Sequence, residues 1–167
     1  EDILENTTSS ITYGSSTDAK IIYVTGDVIF DEGVDITIYG VLAAEGDIYV
    51  GKGGGFNNLF CNDEYTQLSI NYVEGEGAGL LARNNLDFGF CLTSSNIDGV
   101  LYAGKKLEIM NFTDSVDVNG GVFGQTIRIF SIWNEMGMDY NEEIIGNTLY
   151  PTEYSPVIKV QHWEEEY

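Results

Sequence analysis

The sequence predicts an all-β fold: a single right-handed parallel β-solenoid of about six coils with an irregular capping tail. Three observations carry this. Apolar and polar residues alternate along short runs, as they do in half-buried strands. The same run returns about every twenty residues, one solenoid coil per repeat. Glycine or asparagine recurs in fixed phase with it, where a tight corner needs it.

The runs are Tyr23 to Phe30, Ala43 to Val50, Leu81 to Phe88, Tyr102 to Ile109 and Val122 to Ile129, with a weaker copy at Asp63 to Ile70. The residue just before each strand marks the register: Asp27, Asp47, Gln67, Asn85, Lys106 and Thr126, in steps of 20, 20, 18, 21 and 20 residues. Val28, Ile48, Leu68, Leu86, Leu107 and Ile127 then share one phase. Phe30, Val50, Ile70, Phe88, Ile109 and Ile129 share the phase two residues on. Residues i and i+2 point to the same face of a strand, so both sets are expected inside, stacked coil on coil. Ile29, Tyr49, Ser69, Asp87, Glu108 and Arg128 lie between them and are expected outside. A second strand in each coil ends at Gly40, Gly99 or Gly120, with Ala78-Gly79 as a degenerate copy.

A helical reading fails on period, and an antiparallel sandwich would not repeat its register mark every twenty residues. A lone coil cannot bury its inward face, so neighbours must supply the stability. The expected organisation is a polar linker or cap over 1–20, solenoid coils over 21–130, and a capping tail over 131–167 with a final strand at Val157 to Trp163. The open edges of the stack need covering, which gives both ends their role.

Composition bounds the function. The chain carries 27 acids against 7 bases, a net charge of −20. Nucleic acid is excluded as a partner, because its binding rests on neutralising phosphates with Lys and Arg. Anionic membranes are disfavoured for the same reason. No run of eighteen apolar residues is present, so the chain is not expected to span a membrane. His162 is the only histidine, which removes a histidine triad or a multi-histidine zinc site. Lys52-Gly-Gly-Gly55 lacks the ending of a phosphate loop and reads as a turn.

The order Ile21-Ile-Tyr-Val-Thr-Gly-Asp-Val, Ile38-Tyr-Gly-Val-Leu-Ala-Ala-Glu-Gly-Asp-Ile and Gly99-Val-Leu-Tyr-Ala-Gly-Lys-Lys-Leu-Glu-Ile resembles a known family. It is similar to the C-terminal β-solenoid domain of PilX-like, type IV pilus-associated proteins of bacteria. The closing Val157-Ile-Lys-Val-Gln-His-Trp-Glu resembles the ending of that family. The resemblance covers roughly residues 21–164. It implies a minor-pilin-like surface protein, outside the cell, whose partners are other pilus or cell-surface proteins and whose anchor is an apolar helix upstream. Bactofilin-like polymers share the solenoid but lack this aromatic tail.

Several residues are candidates for chemistry. Tyr23, Tyr49, Tyr102 and Trp133 offer flat rings for a polysaccharide or a protein interface, with core and cap packing as the plainer use. Asp27 and Asp47 share one phase on adjacent coils. With Glu45 they can offer oxygen ligands to Ca²⁺, the only cofactor this sequence suggests; solvated turns are the plainer use. Cys61 and Cys91 are the only cysteines, either paired or two buried thiols, and they sit on different columns. Catalysis would need a groove with a committed acid and base, as in polysaccharide-cleaving solenoids. The short coils leave little room for one. The sequence therefore favours a non-enzymatic structural or adhesive module, with a carbohydrate-binding module as the alternative and a polysaccharide-cleaving enzyme third.

Overall fold

A computed structural model of the chain describes residues 10–52, 65–89, 92–111, 115–131 and 136–150. The strands are β1 (Ile11–Tyr13), β2 (Lys20–Val24), β3 (Val28–Asp31), β4 (Asp35–Ala44), β5 (Ile48–Lys52), β6 (Gln67–Asn71), β7 (Gly79–Ala82), β8 (Leu86–Phe88), β9 (Ser95–Asn111), β10 (Val116–Ser131) and β11 (Met136–Tyr140). One short helix follows, α1 (Glu142–Leu149). Every pairing between named strands is parallel. Parallel neighbours require a crossover, and here the crossover is the rest of each coil.

Each coil has three sides. β1, β2 and β3 form the three sides of the first coil. The second coil is β4, which turns a corner at Gly40, and then β5. The third is β6, β7 and β8. β9 and β10 each run through all three sides of one coil. β11 supplies the first side of a sixth coil, on Val116 to Gly120. The fold is thus a parallel β-solenoid of about 5 turns with a C-terminal extension.

The core follows from the alternation. On the third side Val28, Ile48, Leu86, Leu107 and Ile127 stack in register, and so do Phe30, Val50, Phe88, Ile109 and Ile129. On the first side Ile11, Ile36 and Leu68 form one column; Tyr13, Ile38, Ile70, Ile97 and Val118 form the next. On the second side Ile22, Leu42, Leu80, Leu101 and Val122 line up. Ile38, Leu42, Ile48, Leu68, Leu80, Leu86 and Leu107 are wholly buried. Burying a side chain of this size contributes about 1.5–3 kcal/mol, which no single coil obtains without its neighbours.

Two expectations about register need correction. Leu68 and Ile70 do not sit on Ile48 and Val50. They pair with Ile36 and Ile38 on the first side, while Ile48 meets Leu86. The coil from Asp47 to Asn85 therefore spans 38 residues rather than two of about twenty. Alternating apolar residues occupy every side of the solenoid, so the pattern marks a strand without saying which side it forms. The steps of 20 and 18 residues happened to sum to one long coil.

The boundaries also move. β1 lies inside the segment expected to be linker, with Ile11 to Tyr13 paired on Ile36 to Ile38. β11 carries the stack past 130 into the expected tail. The Ser- and Thr-rich corner at 14–18 hides the first of these strands from a composition reading, because Ser15 and Asp18 close it through their backbones. The segment Val157 to Trp163, both cysteines, His162 and Trp133 lie outside the described residues.

Candidate functional site

Two outer faces of the solenoid concentrate the side chains that the alternation turns outward. On the second side two columns point out: Ile21, Val41, Gly79, Val100 and Gly121, and Tyr23, Ala43, Leu81, Tyr102 and Phe123. Both are apolar, which is unusual for a face that meets water. α1 explains part of this. Its Ile144 and Ile145 are buried with Val100 against Leu81, Phe123 and Tyr72.

The helix starts where Asn141 caps it. The Asn141 side chain accepts from the Ile144 N–H at 3.3 Å, and Glu142 and Glu143 fill the first turn, which suits the positive end of the helix dipole. Eight residues are too few for a stable helix alone, so docking holds it. The Asn141 amide donates to Asn119 at 3.2 Å, and the Asn119 amide donates to Asp98 at 3.1 Å. At the other end the Thr148 hydroxyl accepts from the Ala78 N–H at 3.0 Å. The Tyr72 hydroxyl donates to Glu143 at 2.8 Å and accepts from the Asn147 amide at 2.7 Å. α1 thus runs from the last coil back to the third, along the outside of the stack.

Beyond α1 the same face is open. Ile21 is 71% exposed, Tyr23 61% and Tyr102 37%. Tyr23 is fixed by a hydrogen bond from its hydroxyl to Glu45, which raises its pKa; partial burial and the Glu45 charge add to the rise, while Arg83 opposes it.

The third side carries the charged face. Its outward column reads Ile29, Tyr49, Asp87, Glu108 and Arg128. Lys106 lies 2.7 Å from Glu108 and 3.1 Å from Asp87, and Arg128 lies 3.8 Å from Glu108. Burial raises the Asp87 pKa, and Lys106 holds it down. The hydrogen bond to Glu108 raises that of Lys106. Tyr49 donates to Asp47 at 2.9 Å. Burial first, and the Asp47 hydrogen bond next, push Tyr49 up from 10.0 to about 12.

That shift fixes a pH dependence. The neutral phenol is favoured in the folded chain, so its contribution is full below pH 10 and lost as pH climbs towards about 12. In an absorbance titration of the phenols, Tyr49→Phe is expected to remove a late-ionising tyrosine and to flatten the loss of stability across that window. An unchanged titration curve would contradict the assignment.

Of the carboxylates expected to offer Ca²⁺ ligands, Asp27 and Asp47 hydrogen-bond at the coil corners. Asp27 accepts from the Asp47 N–H at 2.8 Å. Asp47 accepts from both the backbone and the side-chain amide of Asn85, each at 2.9 Å. Asp27, Asp47 and Asn85 therefore staple one coil corner to the next. Gly46 makes this possible, since a Cβ there would lie 2.0 Å from the Asp27 carboxylate. Glu45 turns to the second side, to Tyr23. Among the described residues no group of three or more His, Cys, Asp or Glu is arranged to hold a metal ion.

The three ring candidates among the described residues do not converge. Tyr23 and Tyr102 share one outward column, three coils apart, while Tyr49 is on the neighbouring side. Sequence reasoning missed α1 and its latch. The signal was present: Asn141 followed by two acids and Ile144-Ile145 is a helix start.

No family model, curated protein or solved structure matches the chain. Among the described residues no helix is long and apolar enough to cross a membrane.

Proposed function

We propose that the chain is an extracellular, non-enzymatic display module of a pilus-associated or other cell-surface protein, and that it binds a partner through the outer face of its second side. One observation carries the reading: Ile21, Tyr23 and Tyr102 are exposed on a face whose Leu81, Val100 and Phe123 are already in use, against α1. Coil-on-coil stacking fixes their spacing, at roughly 4.8 Å per coil along the column. A rigid array of rings loses little side-chain entropy on binding. The partner class that fits is another cell-surface protein, because rings on a flat face anchor protein interfaces.

A carbohydrate-binding role is the second reading. It is favoured by the Tyr23 ring, exposed to solvent with its hydroxyl held by Glu45, since an exposed ring can stack on a sugar face beside a polar acceptor.

The test presents the chain, and a Tyr23→Ala, Tyr102→Ala double variant, to a polysaccharide array and to immobilised surface proteins of a piliated cell. The double variant keeps every inward column, so it should fold. Binding to surface proteins that falls at least about tenfold in the variant is expected, as for loss of an aromatic anchor. The same loss on the array alone would favour the sugar reading. Binding equal in both chains, or release of reducing ends from any polysaccharide, would sink the proposal.

A further inference from the structure

The stack ends unevenly. β11 covers the last full coil only over Val116 to Gly120. Among the described residues no strand pairs with the outer edge of β10 from Gly121 to Ser131. The inward columns show the consequence. Leu107 and Ile109 are wholly buried, while Ile127 and Ile129, next in the same two columns, are 44% and 41% exposed. A parallel edge with two open apolar positions is a template for one more strand.

We propose that this edge, residues 125–131, takes an extended strand from a partner chain, added parallel as the third side of the sixth coil. The columns define its pattern. It must bring apolar residues over Ile127 and Ile129, as Leu107 and Ile109 do from below. Between them it must carry an acid. Arg128 is 60% exposed and 3.8 Å from Glu108, whose other oxygen is held by Lys106 at 2.7 Å, so a carboxylate from above would meet a cation only loosely engaged. The occupant is therefore an apolar, acidic, apolar strand.

A second copy of this chain fits poorly. Its third-side strand of the first coil has Ile29 where the acid belongs, and Val28 and Phe30 are already buried. Two chains of net charge −20 also repel end to end. The site lies at the end of the stack, independent of the second-side face.

The probe is a synthetic peptide of residues 104–111, Gly-Lys-Lys-Leu-Glu-Ile-Met-Asn, whose Leu-Glu-Ile already stacks beneath Ile127 to Ile129. Binding to the full chain is read by fluorescence anisotropy, and amide exchange over residues 125–131 is read with and without peptide. The peptide is expected to slow exchange there. Glu108→Lys in the peptide should weaken binding about fivefold, the scale of an exposed ion pair. Ile129→Lys in the chain should abolish peptide binding, and Arg128→Glu should reverse the Glu108 preference, which keeps the test valid if Ile129→Lys fails to fold. Three results would overturn the proposal. The first is exchange of amides 125–131 in the free chain as slow as that of β9, so that another part of the chain covers the edge. The second is self-association of the chain through this edge with no response to peptide. The third is peptide binding that ignores both Arg128 and the peptide acid.

Discussion

Ile48→Ala is expected to destabilise the chain by about 2–5 kcal/mol, the range for emptying a packed aliphatic site. Ile48 is wholly buried between Val28 of the coil before and Leu86 of the coil after. The cavity cannot collapse easily, because the backbones above and below are held in ladders on all three sides. A denaturant titration with fluorescence detection reads the loss. A double-mutant cycle with Leu86→Ala should show coupling of about 0.5–3 kcal/mol, as for residues in contact. Strict additivity of the pair would argue that the two side chains never meet.

Gly40→Ala is expected to cost about 2–4 kcal/mol, combining backbone strain with a steric clash. Gly40 turns the corner between the first and second sides with φ +117. A Cβ there would lie 2.1 Å from the Lys20 carbonyl oxygen and 2.7 Å from the Lys20 nitrogen. Both atoms are backbone, so no side chain can swing aside. β2 would have to leave β4, which releases Ile22 and Val24 from the core. Amide exchange over Lys20 to Val24 should rise more than exchange in β9. A variant with unchanged exchange and unchanged stability would show that the corner tolerates a side chain.

Most of the fold was legible because the period-two alternation and the corner glycines are imposed by the geometry itself. Val28, Ile48, Leu86, Leu107 and Ile127 were assigned to one column, and they form it. Leu68 was assigned to the wrong side because an inward leucine looks alike on every side. Only the pairing partner distinguishes the sides, and that partner lies far away in sequence. The candidate site was less legible. Tyr23 and Tyr102 were found by phase, but Tyr49 proved to face another side, where its hydroxyl meets Asp47. Asp27 and Asp47 were correctly placed on adjacent corners. Their role follows from backbone N–H groups, which a sequence does not display. A strand patterned like any other third-side strand, Thr126 to Ser131, gave no sign that its upper edge would lack a partner strand among the described residues.

The stacking order can be read directly from cross-strand backbone NOEs in the labelled, deuterated protein. The account predicts contacts linking Ile48–Val50 to Leu86–Phe88, and Ile36–Ile38 to Leu68–Ile70. Backbone contacts linking Ile48–Val50 to Leu68–Ile70 would contradict it.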